Sequence, residues 1–340
     1  MKRILATFFL LAFFSAGLPA AKTLDMYVVD VEGGKALILI SPNGQSMLID
    51  AGFPGFDDRD AIRIEQAAKA AGISKFDYVV VTHYDLDHVN NVPATVARIP
   101  AAVFVDHGAP VVKDPATLKA VAAYEEVAAK GKHIVVKPGD KIPFGPVDIL
   151  VVTSGMEMLK TPVKGGGIPN PFCAETQPMS WGRVNEDASE NAASVGLLFT
   201  YGKFRMLDLA DLTWNKEIEL MCPTNPIGTV DLFMVSHHGH NISNSPALVN
   251  AIQPRVTVMN NGAKKMGMPQ VLQRLKALAG VQANYQLHWS ANAPNDNPPE
   301  EFIANLQDSP DGKWLKISAQ DDGTIVVTNA RTGEAKTFKK

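Results

Sequence analysis

Four potential metal ligands lie within six residues, in the segment His83-Tyr84-Asp85-Leu86-Asp87-His88. They follow the apolar run Tyr78–Val81, whose β-branched residues predict a buried strand. Two imidazoles and two carboxylates at this density are costly to bury without a cation. Mixed His and Asp sets suit Zn, Mn or Fe better than Ca or Mg. The spacing therefore predicts a metal site at a strand end, and the alternative is a solvated polar loop.

Three other apolar segments end in residues of the same types. They are Met47–Ile49 before Asp50, Met206-Leu207 before Asp208 and Asp211, and Leu232–Val235 before His237 and His238. Because functional side chains gather at strand ends in covered sheets, we expect these residues to converge on one site. For Asp50, a turn or N-cap carboxylate is the alternative to a role beside the ligands.

Strand and helix patterns alternate along the chain and indicate a mixed α/β protein. The strand patterns are Leu24–Val31, Ala36–Ile40, Ser46–Ile49, Val79–Val81, Ala101–Val105, Ile134–Val136, Lys141–Phe144, Val147–Val152, Val195–Thr200, Phe204–Leu207, Asp231–Val235, Val256–Met259, Trp314–Ile317 and Thr324–Thr328. The helix patterns are Arg59–Ala71, Leu118–Ala129, Trp214–Met221, Pro246–Ala251 and Pro269–Ala279.

The first residues have the layout of a secretory signal peptide. Lys2 and Arg3 precede the apolar stretch Ile4–Phe14, and small residues follow up to Ala20. We predict that residues 1–20 direct export, so that the mature chain is periplasmic or secreted. An uncleaved anchor is the alternative, although the stretch is short for one and no later segment has the apolar length of a spanning helix.

The size and charge of the chain restrict its expected partners and its number of domains. The 340 residues carry a formal net charge of −3, which gives no general attraction to nucleic acid or to an anionic membrane. Residues 22–340 suit a single large α/β domain.

Residues 155–192 have no clear period and contain four prolines between positions 162 and 178. Such a long loop either faces the substrate or is a solvated insertion. Cys173 and Cys222, the only two cysteines, would be able to pair in an oxidising compartment, but the sequence does not place their Cα atoms together.

The order of these motifs resembles that of the metallo-β-lactamase superfamily, and within it that of the ComEC-like group, which comprises the hydrolase-like domain of the competence proteins and related exported hydrolases. The resemblance rests on Asp30–Ala36, Leu48–Gly52, Thr82–His88, Pro138–Ile142, Asp211, Val235–Gly239 and Gly323–Ile325, which span nearly the whole mature chain.

The resemblance implies an αββα sandwich of two mixed β-sheets with helices outside and the site at one edge. It also implies up to two divalent metals, zinc first, with Mn or Fe as alternatives. In this scheme the metals share a bridging water and lower its pKa, which yields a hydroxide nucleophile. His83 and Asp85 would bind the first metal, Asp87, His88 and His237 the second, and Asp211 would bridge them.

Asp87 and Asp211 are the carboxylates that the resemblance assigns to catalysis. Four further residues are expected around the ligands. Asp50 would orient a histidine, Asn191 stands where a further first-site His is usual, and His238 and His240 would lie close to the substrate. Asp85 occupies a position where most members of the superfamily carry His. The ComEC-like group shares the Asp. Asp208 is the alternative to Asp211 as the bridge, and the spacing favours Asp211.

The resemblance, together with the acid-rich ligand set, implies an exported metal-dependent hydrolase with a phosphodiester or phosphate-ester substrate. A lactone or β-lactam hydrolase, a non-catalytic metal-binding scaffold and a di-iron redox protein are the alternatives. The expected substrate is a small molecule or a phosphodiester. Nucleic acid is a further alternative, but the net charge of the chain does not support it.

Three other polar sites have open interpretations. His107 is either a structural residue or part of the same site, and His288, predicted in a loop, either closes over the site or packs as an aromatic ring. The pair Lys264-Lys265 either binds a phosphate group or lies in a solvated loop.

Overall fold

The computed structural model of the chain describes residues 22–180, 187–307 and 311–340. The predicted signal peptide and Trp181 fall outside these ranges. The strands are β1 (Leu24–Val28), β2 (Leu37–Ile40), β3 (Ser46–Ile49), β4 (Phe76–Val80), β5 (Ala101–Asp106), β6 (Lys132–Val135), β7 (Lys141–Phe144), β8 (Val147–Ser154), β9 (Glu157–Met158), β10 (Ile168–Pro169), β11 (Gly196–Tyr201), β12 (Phe204–Asp208), β13 (Thr224–Asn225), β14 (Leu232–Met234), β15 (Val256–Met259), β16 (Ala283–His288), β17 (Ile303–Asn305), β18 (Leu315–Ala319), β19 (Ile325–Asn329) and β20 (Ala335–Phe338).

Six α-helices lie between these strands, together with four short 3₁₀ helices. The α-helices are α1 (Arg59–Ala70), α2 (Val92–Arg98), α3 (Pro115–Ala128), α4 (Trp214–Met221), α5 (Pro246–Ile252) and α6 (Pro269–Lys276). The 3₁₀ helices cover Pro171–Cys173, Asn191–Ala193, Ser236–Gly239 and Glu300–Phe302. None of the helices in the described ranges has both the length and the apolar character needed to cross a bilayer.

Two nine-stranded mixed sheets form the centre of the fold. The first has the order β20-β19-β18-β1-β2-β3-β4-β5-β6, and the second has the order β17-β16-β15-β14-β12-β11-β8-β7, with β9 beside β8. In the first sheet β3 to β6 are parallel, and in the second β12 and β14 to β17 are parallel. Parallel neighbours bring their carboxyl ends to the same edge, where ligand-binding residues collect.

The alternation of side chains along each strand produces three apolar layers. Leu39 on β2 and Phe199 on β11 belong to the layer between the two sheets. Ile38, next to Leu39, faces the other way and packs in a layer that includes residues of α1 and α3. On the second sheet, Phe233 packs in a layer with residues of α4 to α6. The predicted fold class, two mixed sheets flanked by helices, is therefore confirmed.

Several element boundaries differ from the sequence predictions. Helix α2 and strands β9, β10, β13, β16, β17 and β20 were not predicted. Their patterns are short, and a run of two to seven residues carries little periodic signal. The prediction that His288 lies in a loop is wrong, because it ends the buried strand β16.

The described part of residues 155–192 is more ordered than a structureless loop. Strand β10 pairs with β13, and the Asn170 side chain donates hydrogen bonds to the carbonyls of Met221 and Ala247. Cys173 and Cys222 form a disulfide bond in the same region. This part of the segment is therefore attached beside α4 and α5.

Candidate metal centre

The predicted ligand motif lies immediately after β4, in the first sheet. The backbone turns back on itself here, since the N–H groups of His88 and Val89 both donate to the carbonyl of Asp85. The turn brings the rings of His83 and His88 to a centroid distance of 4.0 Å. Both histidine side chains are fully buried. The rigid end of a central strand therefore fixes their positions.

Four side chains from the two sheets meet at one point. Asp87 and His88 follow β4, Asp211 follows β12, and His238 follows β14. Their ligand atoms all lie within 4.8 Å of one another, and we call these four residues the ligand cluster. Nε2 of His238 is 3.1 Å from Oδ2 of Asp87 and 3.2 Å from Oδ2 of Asp211, and Nε2 of His88 is 3.3 Å from the same Asp211 oxygen.

The donor set of the ligand cluster fits a divalent metal. Tetrahedral Zn²⁺ with ligand distances of about 2.0–2.2 Å places neighbouring ligand atoms about 3.4 Å apart, which is close to the observed separations. Two carboxylates and two imidazoles are also the mixture that suits Zn, Mn or Fe. The geometry therefore supports a divalent metal at these four residues.

The orientation of His88 is fixed from behind by Asp50. Nδ1 of His88 donates to Oδ2 of Asp50 across 2.8 Å, and the same carboxylate accepts hydrogen bonds from the backbone N–H and the hydroxyl of Thr82. Burial alone would raise the pKa of Asp50, but the adjacent His88 lowers it below its usual value. An ionised Asp50 holds the His88 ring so that its Nε2 atom faces the ligand cluster.

His237 and His238 approach the same carboxylate from different directions. Both residues have left-handed backbone angles, with φ of 53° and 52°, and their rings are nearly perpendicular at 79°. Nε2 of His237 lies 3.6 Å from Oδ2 of Asp211. The resemblance predicts His237 as a ligand and His238 next to the substrate, whereas the structure places His238 inside the compact cluster and His237 at its side.

The surroundings of His237 also leave its Nε2 atom available to bind a metal. The Ser243 hydroxyl donates to the carbonyl of Leu212, so its oxygen accepts from Nδ1–H of His237 at 3.2 Å. Burial lowers the pKa of His237 to about 4, although the Asp211 carboxylate opposes the shift. A neutral imidazole with a free Nε2 lone pair is the form that binds metals.

The carboxylate of Asp211 faces three imidazoles. Burial alone would raise the pKa of Asp211, but His238, His88 and His237 lower it well below its usual range. Asp208, the alternative bridging residue, lies elsewhere in a buried ion pair 2.5 Å from Nζ of Lys35. Oδ1 of Asp208 also accepts from the N–H of Ala210, so Asp208 supports the turn that presents Asp211.

The predicted first site is less complete. Nε2 of His83 lies 3.7 Å from Oδ2 of Asp85, and it is buried with no hydrogen-bond partner among the described residues. The side-chain oxygen of Asn191 is likewise buried with no partner in this part of the chain. Within the ranges that the structure describes, neither His83 nor Asp85 belongs to a group of three close ligands. The structure therefore gathers one four-residue set and leaves His83 and Asp85 as a pair.

His240 and Lys265 lie next to the ligand cluster. The ring of His240 stacks on that of His237 at a centroid distance of 4.8 Å, and Nδ1 of His240 accepts from the N–H of Ile242. Nζ of Lys265 contacts Oδ2 of Asp87. Asn260, which follows β15, contacts Nδ1 of His238 at 3.0 Å and was missed in the sequence, although it too stands at a strand end.

Asp30 and Glu32 form a second acidic group, which contacts Arg63 and His288. Oδ1 of Asp30 lies 2.7 Å from Nε2 of His288, and Glu32 lies nearby. Arg63 contacts the carboxylates of both Asp30 and Glu32, at 3.1 Å and 2.9 Å. His288 is therefore part of a buried ion-pair network and does not close over the ligand cluster.

His107 lies in another buried ion pair, with Nε2 3.3 Å from a Glu190 oxygen, and its ring packs 4.6 Å from that of Tyr84. These contacts agree with the structural interpretation of His107.

Part of the chain is similar to a known protein family. Residues 31–169 match the family model of the metallo-beta-lactamase superfamily. No curated protein matches the chain. Similar solved structures include the metallo-beta-lactamase fold protein YhfI from Bacillus subtilis, with 13% identity and a TM-score of 0.44 over 77% of this chain and 95% of that one.

Two other similar solved structures are proteins with different activities. A metallo-beta-lactamase from Cronobacter sakazakii shows 14% identity and a TM-score of 0.38, covering 62% of this chain and 74% of its own. The diiron beta-hydroxylase CmlA from Streptomyces venezuelae shows 14% identity and a TM-score of 0.39, covering 72% and 45%. Such values do not transfer a function. Residues 31–169 are therefore similar to the metallo-beta-lactamase superfamily, and the ligand cluster agrees with a metal-dependent hydrolase of that kind.

Proposed function

We propose that the protein is an exported hydrolase of phosphodiesters or phosphate esters, related to the ComEC-like group. The convergence of Asp87, His88, Asp211 and His238 from separate strand ends is the observation that carries the proposal. When bound, a divalent metal supplies Lewis acidity that lowers the pKa of water and polarises the ester.

The chain's own residues supply orientation and charge. Asp50 and Ser243 hold His88 and His237 from behind, so that their Nε2 atoms point into the site. Asp211 presents one oxygen between imidazoles, which suits a ligand shared by two metals if His83 and Asp85 take part. We propose zinc as the metal, with Mn or Fe as alternatives, because the donor set is mixed.

A phosphate-containing substrate is favoured over an acyl substrate by charge. The ammonium of Lys265 lies at the site, and a metal bound there would add positive charge, and both attract a phosphate group. Export is supported by the disulfide between Cys173 and Cys222, because such bonds persist in oxidising compartments.

Hydrolysis assays with a defined metal test the proposal. We expect turnover of bis(p-nitrophenyl) phosphate or p-nitrophenyl phosphate, and less or none of a lactone or a β-lactam. The double variant His83→Ala with Asp211→Ala should lose this activity and keep a folded circular-dichroism spectrum. Asp148→Asn, an exposed carboxylate on β8, is the matched control and should retain activity.

Three results would contradict the proposal. Turnover of only the lactone or β-lactam would assign an acyl substrate. Metal binding without hydrolysis of any ester would favour a non-catalytic scaffold. Undiminished activity in the double variant would remove the site itself.

A further inference from the structure

Lys265 is a cationic side chain at the mouth of the ligand cluster. Its ammonium contacts Oδ2 of Asp87 and lies 4.7 Å from the centroid of the Phe53 ring. The Lys265 side chain is 29% exposed, whereas that of Asp87 is 14% exposed and those of His88 and His238 are fully buried. Lys265 therefore stands between the buried ligands and the solvent.

The backbone that carries Lys265 is held firmly. Its carbonyl accepts from the N–H of Gly262, and the Asn292 side chain donates to the carbonyls of Lys264 and Met266. Gly33 packs so closely that an added Cβ would lie 2.7 Å from the nitrogen of Gly262 and 3.0 Å from Cβ of Lys265. Movement at this position is therefore expected in the flexible side chain and not in the loop.

The contacts of the ammonium leave it able to take another partner. An ammonium has three N–H donors, and an aromatic ring attracts the charge without accepting a conventional hydrogen bond. Asp87, its carboxylate partner, is also a member of the ligand cluster. A metal bound to Asp87 would compete with Lys265 for the same negative charge.

We propose that Lys265 exchanges partners, pairing with Asp87 in the metal-free protein and with an oxyanion of the substrate once the metal is bound. This inference rests on the proposed function for the identity of the substrate, because the oxyanion would belong to the phosphate ester. A carboxylate has related chemistry and is distinguished by the experiment below.

The exchange couples metal binding to anion binding. Because Lys265 competes with the metal for Asp87, removing its charge should strengthen metal binding. Because Lys265 also contacts the anion, removing its charge should weaken anion binding to the metal-loaded protein. Thermodynamic linkage further requires that the anion increase metal affinity by the same factor by which the metal increases anion affinity.

Two binding measurements on the whole protein test the exchange. Zn²⁺ affinity is measured by competition with a chromophoric chelator in phosphate-free buffer, for wild type, Lys265→Met, Lys265→Arg and Lys264→Met. Lys264 is the matched control, since it is an exposed lysine in the same loop. We expect Lys265→Met to bind Zn²⁺ about tenfold more tightly than wild type, and the other two variants to resemble wild type.

Calorimetric titration of the zinc-loaded proteins with inorganic phosphate and with acetate is the second measurement. We expect Lys265→Met to bind the preferred anion about tenfold more weakly, and Lys264→Met to bind it as wild type does. Stronger binding of phosphate than of acetate assigns the oxyanion to a phosphate group, and the reverse order assigns it to a carboxylate.

The exchange is overturned if Lys265→Met changes only one of the two affinities or neither, or if Lys264→Met reproduces both effects. Neither measurement requires turnover. Absence of ester hydrolysis with both binding effects present would therefore reject the proposed function and retain the role of Lys265.

Discussion

Glu217 on α4 is a fully buried carboxylate whose titration should be visible in the stability of the protein. It accepts hydrogen bonds from the backbone N–H groups of Asn244 and Ser245 at 2.7 Å and 2.6 Å. Burial raises its pKa from 4.5 to about 7, although these hydrogen bonds and the charge of Arg274 oppose the shift. Glu217 therefore binds a proton more tightly in the folded protein than in the unfolded chain.

The size and sign of the effect follow from linkage. A shift from 4.5 to about 7 corresponds to about 3 kcal/mol of free energy of unfolding. Because the folded-state pKa is the higher one, this contribution is fully present below pH 4.5 and is lost as the pH rises through about 7. The variant Glu217→Gln cannot titrate and lacks this dependence. From pH 5 to pH 8, wild type should lose about 3 kcal/mol relative to Glu217→Gln.

Urea denaturation of the metal-free proteins at several pH values between 5 and 8 measures the difference. Glu219→Gln is the matched control, because Glu219 is on the same helix and its side chain is 54% exposed. Its stability should follow that of wild type at every pH. A difference between wild type and Glu217→Gln that stays constant from pH 5 to pH 8 would refute the burial argument.

Three further predictions concern the partners of the site histidines and the disulfide. Asp50→Asn replaces the carboxylate partner of His88 by a neutral amide, and Ser243→Ala removes the hydroxyl partner of His237. Each should weaken Zn²⁺ binding by about 10–100-fold in a chelator competition, and equal affinity would show that the imidazoles are oriented otherwise. Replacing Cys173 and Cys222 by Ser should lower the free energy of unfolding by about 4 kcal/mol for a sequence separation of 49, and urea midpoints would show it. An unchanged midpoint would mean that the contacts of the segment hold it without the disulfide.

The sequence was most informative where chemistry and local periodicity coincide. The segments ending at Asp50, Asp211 and the His237-His238 pair were each identified as apolar runs that stop at a polar residue. Strand formation depends on side chains a few residues apart. Such runs can therefore be recognised from the local sequence alone. The same rule applied to β15 would have identified Asn260, which follows Met259.

Only the tertiary structure decided which of His237 and His238 belongs to the ligand cluster. Two consecutive left-handed residues place His238 in the ligand cluster and His237 at its side, and backbone angles of this kind are not encoded in hydrophobic periodicity.

The local patterns of the sequence determined the mixed α/β character and the positions of the acidic and histidine residues at strand ends, whereas the two-sheet sandwich was implied by the resemblance. Only the tertiary structure decided which partners meet. Each of four contacts joins segments distant in sequence: Asp208 with Lys35, Lys265 with Asp87, His288 with Asp30, and Cys173 with Cys222. Such contacts depend on how the two sheets pack, and packing is a property of the whole chain.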